Sequence, residues 1–343
     1  MAKTNPGNFF EDYTLGQRIE HAVPRTVSGG ERALYHALYP ARHALHSSDE
    51  FARACGLPGS PLDDLAAFHV VFGKTVPDVS LNAVANLGYA EGRFRVPVYF
   101  GDTLRSVSEV IGLKQNSNGK SGVVYVRTEG LNQRGEVVLD YVRWVMVRKR
   151  DLDAPAPETV IPDLAKVVPA ESLIIPEGLD FTGYDFTLAG EPHRWGDYEV
   201  GEIIDHVDGV TIEEAEHMIA TRLWQNTAKV HFDATFRPDG QRLIYGGHVI
   251  SMARALSFNG LANAQLIAGI NAGAHANPCF AGDTVKAWTE VLDKSETAAP
   301  GVGALRLRLV ATKAGEAGQL MGEDGKYLPN VLLDLDYWVL VPV

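Results

Sequence analysis

Cysteine is nearly missing: the 343 residues hold two, Cys55 and Cys279, and neither has a CxxC-type partner. That scarcity excludes a disulfide-framed fold and a cysteine-built metal site, and it fits a reducing compartment. Basic residues are also few. The 31 Lys and Arg stand against 43 Asp and Glu, for a net charge of −12 and no basic cluster. A nucleic-acid surface, which must neutralise phosphates, is therefore not expected. No run of eighteen apolar residues occurs, and the leading MAKTNPGNFFEDYTLG lacks the apolar centre of a secretory signal. The expectation is a soluble cytoplasmic protein with neither a membrane nor a nucleic-acid partner.

What is present is 45% hydrophobic content over a length that suits two domains. The sequence is also written twice. FEDYTLGQRIEH (10–21) matches WGDYEVGEIIDH (195–206) without a gap at an offset of 185, and Thr26 and Glu31 face Thr211 and Glu216 at the same offset. LYPARHALH (38–46) and LWQNTAKVH (223–231) keep that offset, since 231 less 46 is 185. PVYFGDTLRSVSEV (97–110) then matches PCFAGDTVKAWTEV (278–291) at 181, and VLDYVRWVMV (138–147) matches LLDLDYWVLV (332–341) at 194. Four anchors in one order predict a module at 1–150 and a copy of it at 191–343. The unrepeated, Pro-rich stretch 151–190 reads as the linker.

Each copy changes periodicity in a set order. A DYxxG turn leads into a helical segment, GGERALYHALYP or IEEAEHMIATRLW, the latter with Ile212, Ala215, Met218, Ile219 and Leu223 on one face. A loop ending in the repeated His follows, then a second helix, DDLAAFHVVFGKTV or GGHVISMARALSFNGLA. The rest of copy one reads as strands: GRFRVPVYF, GDTLRSVSEVIGL, SGVVYVRTEGLN and EVVLDYVRWVMV. One central helix followed only by strands predicts an α+β fold with an antiparallel sheet wrapped around that helix.

This order resembles the hotdog fold, and the strand entrances PVYFGDTL and PCFAGDTV resemble the MaoC-like, or hydratase 2, family of enoyl-CoA hydratases. The resemblance covers both copies and implies a double hotdog. HALYPARHALHSSDEFARACGLP, DYVRWVMVRKRD and IYGGHVISMARALSFNGLANAQ resemble one branch of that family more closely, the mesaconyl-CoA hydratases or β-methylmalyl-CoA dehydratases. The resemblance implies reversible, syn-type hydration of a branched, carboxylate-bearing enoyl-CoA thioester. Coenzyme A is then part of the substrate, with no metal or redox cofactor. It also implies a homo-oligomer, a dimer of chains, and a role in glyoxylate or acetyl-CoA assimilation, as in the ethylmalonyl-CoA pathway.

Hydration needs a base for water, an acid for the α-carbon and donors for the enolate oxygen. In the family, an Asp and a His five residues later carry the proton transfers. With His231 as that His, the earlier position is Asn226, which cannot take a proton; with His46 it is Ala41. His231 and Asn226 are thus the expected catalytic pair, with His46 the candidate from the first copy. Asp63 or Asp64 is a candidate second proton carrier, and Asp233 is not. Gly246 and Gly247, at the start of the second copy's central helix, are the expected oxyanion hole. Lys229, Arg42 and His43 are the expected contacts for the acyl group and its carboxylate. His69 and His248, which align only at an offset of 179, read as ordinary helix residues, and the GDT turns as structural. A thioesterase and a non-catalytic acyl-CoA binding protein are the competing readings, since the fold alone does not choose between them.

Overall fold

The computed structural model describes residues 3–343. Ten strands form one sheet: β1 (Arg18–Thr26), β2 (Ala83–Phe94), β3 (Thr103–Gln115), β4 (Ser121–Leu131), β5 (Val137–Arg148), β6 (Ile203–Thr211), β7 (Leu266–His275), β8 (Thr284–Glu296), β9 (Val302–Thr312) and β10 (Val331–Pro342). Their order is β1-β3-β4-β5-β2-β7-β10-β9-β8-β6, antiparallel throughout. Read from either edge, each half has the same order. The halves join where β2 pairs with β7, with Tyr89 opposite Gly273 and Arg93 opposite Gly269.

The first half carries helices α1 (Gly29–Leu38), α2 (Ala44–Ser47), α3 (Asp49–Ala54) and α4 (Asp64–Thr75). A single turn, α5 (Phe186–Ala189), lies in the linker, and the second half carries α6 (Glu214–Leu223), α7 (Lys229–Phe232) and α8 (Gly246–Leu256). Helices α4 and α8 are apolar on nearly every side, so the only stable place for them is inside the curl of the sheet. Every residue of α4 after Asp64 is buried, as is every residue of α8 after Gly246. One core runs through both halves, including Phe68, Val71, Ile250 and Ala253 from the two helices.

The repeated motifs build repeated joints. Glu31 accepts the Ser28 N–H at 2.7 Å to start α1, and Glu216 accepts the Glu213 N–H at 3.0 Å to start α6. His21 bonds Ser108 and His206 bonds Thr289, each from one edge strand to the next strand inward. The GDT turns pin β1 to β3 and β6 to β8: the Gly101 and Gly282 N–H groups reach back to Val27 and Ile212. Both glycines have φ above +90°, which an L side chain resists.

Three details differ from the sequence expectation. β1 and the body of β2 are strands that the alternation did not reveal, and VPVYF beyond Phe94 is a turn, because Pro97 cannot continue the ladder. Helix α6 buries His217, Ala220, Thr221 and Leu223, while Ile219 is 44% exposed. Its inward side meets α1 and a polar site, so a histidine takes the place the aliphatic residues were expected to fill. The linker is packed rather than loose. Val168, Leu179, Phe181 and Tyr184 share a core with Leu45 and Phe51 of the first half and Trp338 and Leu340 of the second.

Candidate active site

A cavity of about 290 Å³ opens at the start of α8. The second half supplies Asn226, His231, Tyr245, Gly246, His275 and Cys279; the first half closes it with Phe72, Asn86, Tyr89 and Arg143. It is a site between halves, with both of its histidines in the second.

His231 sits in the single turn α7. Its Nδ1–H donates to the Leu243 carbonyl at 2.7 Å, which leaves the Nε2 lone pair without a partner among the described residues. Burial lowers its pKa below the usual 6.5, so it is a neutral base at neutral pH. Asn226 is buried at the cavity wall; its Oδ1 accepts the Ala228 N–H at 3.4 Å, and its amide nitrogen has no acceptor among the described residues. Tyr245, at the position capping α8, supplies no side-chain cap, and neither the Gly246 nor the Gly247 N–H has an acceptor among the described residues. These amides sit at the positive end of the helix. Gly246 borders the cavity. A Cβ there would lie 2.4 Å from the His275 ring, so only glycine brings the helix start this close. Gly247 lies deeper, where a Cβ would meet the Tyr245 hydroxyl at 2.2 Å; the absence of a side chain there serves packing.

Two further histidines support this arrangement. His217 accepts the Tyr245 backbone N–H on Nε2 at 2.9 Å, which fixes the residue just before Gly246; burial, then His248 and His231, lower its pKa to about 3. His275 lies 3.3 Å from the Tyr89 hydroxyl, and burial, then His231, lower it to about 4, so its Nε2 accepts that hydroxyl proton. Neither was expected from the sequence: His217 lies on the helix face opposite the aliphatic stripe, and His275 ends a strand far from the motif.

The equivalent place in the first half is shut. The two central helices begin at Asp64 and Gly246, an offset of 182, so Asp64 stands where Gly246 does and Asp63 where Tyr245 does. By the same offset His69 corresponds to Ser251 rather than to His248, and the two bond each other at 2.7 Å across the halves. Asp63 caps α4 by accepting the Leu65 N–H at 2.9 Å, the amide that corresponds to that of Gly247. His46 keeps the Nδ1 contact, here to the Pro61 carbonyl at 3.4 Å, but its Nε2 faces the Gln265 carbonyl at 3.2 Å and Asp64 at 3.6 Å. Burial alone would lower its pKa, yet the hydrogen bond and charge of Asp64, with Asp63 behind, outweigh it and raise the pKa to about 9. Two carbonyl acceptors call for two N–H donors, as an imidazolium has. The space left at this end is about 20 Å³.

The remaining expected residues lie elsewhere. Asp63 and Asp64 belong to that closed site and do not reach the cavity. Lys229 is exposed, and Arg42 is exposed with its guanidinium 4.4 Å from the Phe258 ring centre. His43 is buried and accepts from Arg254 at 2.7 Å, so it is held neutral inside the protein. Asp233 is exposed and caps a short turn through the Thr235 N–H. Cys55 and Cys279 are both buried and free. No group of three or more metal-ligating side chains, and no helix long and apolar enough to cross a membrane, occurs among the described residues.

Comparison with known proteins points to one family. The family model described as mesaconyl-CoA hydratase matches residues 1–323. The chain is similar to a mesaconyl-CoA hydratase of Cereibacter sphaeroides, 79% identical over 341 residues and covering 99% of each chain. It is also similar to a β-methylmalyl-CoA dehydratase of Chloroflexus aurantiacus, 60% identical over 349 residues and again covering 99% of each. Among solved structures, a MaoC-domain dehydratase from C. aurantiacus superposes with a TM-score of 0.97 at 59% identity, covering 100% of this chain and 99% of that one. A double-hotdog protein of Mycobacterium tuberculosis, 24% identical with a TM-score of 0.76 and 98% coverage of each chain, shares the fold.

Proposed function

The chain belongs to the mesaconyl-CoA hydratase family, and we infer from its cavity that it adds water reversibly across the double bond of mesaconyl-CoA to give β-methylmalyl-CoA. The observation that carries this reading is the neutral His231, with its Nε2 free, in the same cavity as the unbonded N–H of Gly246.

In this reading the thioester oxygen accepts from the Gly246 N–H, which becomes a stronger interaction as negative charge moves onto that oxygen. The amide nitrogen of Asn226 holds the water. His231 Nε2 takes one proton as the water oxygen bonds the β-carbon, and the enolate forms with its charge at the helix start. The same Nε2–H then returns its proton to the α-carbon, so both atoms of the added O–H arrive on one face and His231 ends neutral. A single proton carrier does the work that the wider family divides between His and Asp. Dehydration is the same path reversed. Every step is assigned to this chain and to its substrate's own thioester, without a further cofactor. We place the protein in the cytoplasm, as a dimer of chains in glyoxylate or acetyl-CoA assimilation; light scattering after size exclusion tests the dimer.

The test is to incubate the purified protein with mesaconyl-CoA and follow loss of the enoyl-thioester absorbance, product mass and free thiol. Mass gain of one water without free CoA is expected. Release of free CoA would make it a thioesterase, and binding without change of either would make it a carrier.

A further inference from the structure

The only Asp, Glu, Lys or Arg side chain among the described residues lining the cavity is Arg143, which projects from β5 of the first half. It is fully buried, and no carboxylate lies within ion-pair distance of it among the described residues. One nitrogen, Nη2, donates to the Thr75 hydroxyl at 2.7 Å, and the guanidinium sits 4.2 Å from the Phe72 ring centre. Its Nε and Nη1 have no acceptor among the described residues. Asn86 on the neighbouring strand β2, near in register because Tyr89 faces Arg143, also lines the cavity and has both amide atoms buried and unbonded. A cation taken out of water without a counter-ion destabilises a fold by several kcal/mol. Here it borders an empty space shared with the reacting groups.

We propose that Arg143, with Asn86 beside it, is the receptor for the free carboxylate of the acyl group, so that the first half reads the substrate while the second half transforms it. This rests on the reading of the cavity as a mesaconyl-CoA site. It takes the place of the assignment of Lys229 and Arg42, both of which point to solvent. The ligand class is a CoA thioester whose acyl chain ends in a carboxylate; the guanidinium supplies the charge and Asn86 an amide donor. Thioesters that lack the distal carboxylate leave the cation buried and unpaired in the complex, so they bind worse than their size predicts.

The test separates this from the hydration chemistry by using saturated thioesters, which cannot be hydrated. Calorimetric dissociation constants for succinyl-CoA and butyryl-CoA, one with and one without the carboxylate, are measured on the wild-type chain, Arg143→Met and Arg143→Lys, alongside melting temperatures. The wild type is expected to prefer succinyl-CoA by about 10²-fold, since a desolvated charge pair is at stake. Arg143→Met loses that preference and melts higher, because it removes an unpaired buried charge; Arg143→Lys keeps a reduced preference. No preference in the wild type, or the same preference in Arg143→Met, overturns the proposal even if mesaconyl-CoA is hydrated. A lower melting temperature in Arg143→Met with both affinities falling together would make Arg143 a structural residue and overturn it equally.

Discussion

His46 and His231 occupy the same place in two copies of one module and do opposite things. Each fixes its Nδ1 on a loop carbonyl, Pro61 in one copy and Leu243 in the other. The difference lies in what faces Nε2: a carbonyl and the Asp64 carboxylate in the first copy, and a cavity of about 290 Å³ in the second. At the helix start, Asp63 and Asp64 fill the first copy with the protein's own negative charge, whereas Tyr245 and Gly246 leave the second copy's amides free. A carboxylate at a helix start is what the peptide dipoles favour. The first copy supplies it internally and gains a joint; the second leaves its helix start open to the cavity, where we propose that a substrate oxygen binds and reacts. Neither Asp63 nor Asp64 lines the cavity that holds His231.

Replacing each half's residues in turn breaks or sharpens this contrast. The largest stability effect is expected from His46→Gln, which strands Asp64 in the interior: a loss of about 3–5 kcal/mol in denaturant unfolding, with kcat of the folded enzyme unchanged. Next comes Gly246→Ala, whose Cβ meets the His275 ring and displaces the amide proposed to serve the oxyanion. Its kcat is expected to fall about 10²–10³-fold in steady-state assays with little change in melting temperature. Asn226→Ala removes the group that holds water and no proton carrier, so kcat falls only about tenfold in the same assay.

The buried histidines respond to pH in two opposite ways. Burial holds His69 and His217 at about 3 and His206 and His275 at about 4. An unfolded histidine takes its proton near pH 6.5, so the unfolded chain gains protons that the folded one refuses as pH drops below that value. Stability is full above pH 6.5 and falls toward pH 4 by roughly 1.4 kcal/mol per pH unit for each such histidine. His46, raised to about 9, has the reverse sign: its contribution is complete below pH 6.5 and fades as pH rises through 9. Melting temperature against pH should therefore have two limbs, and His46→Gln should remove the alkaline one alone. The acid limb of kcat/KM, set by His231, is expected below pH 6.5.

The duplication, the two central helices and the pairing of Asn226, His231 and Gly246 could be read from the sequence because each depends on residues within one contiguous motif. Arg143 and His275 could not: Arg143 lies on a strand whose nearness to the motif depends on β2 meeting β7, and His275 ends β7, far along the chain from the motif. A signal for Arg143 did exist, in a lone guanidinium inside the apolar strand VLDYVRWVMV, aligned with Tyr337 of the second copy. The buried face of α6 was misread for a related reason, since periodicity finds aliphatic stripes and this helix turns a histidine inward. Edge strand β1, mostly exposed and interrupted by Pro24, carries no alternation to find.

Turnover of mesaconyl-CoA by His231→Ala beside His46→Gln tests the division between the halves most directly. The account predicts that His231→Ala keeps its melting temperature and loses kcat by about 10²–10⁴-fold, while His46→Gln melts lower and keeps its kcat. Turnover surviving in His231→Ala and lost in folded His46→Gln would place the chemistry in the first copy and contradict it.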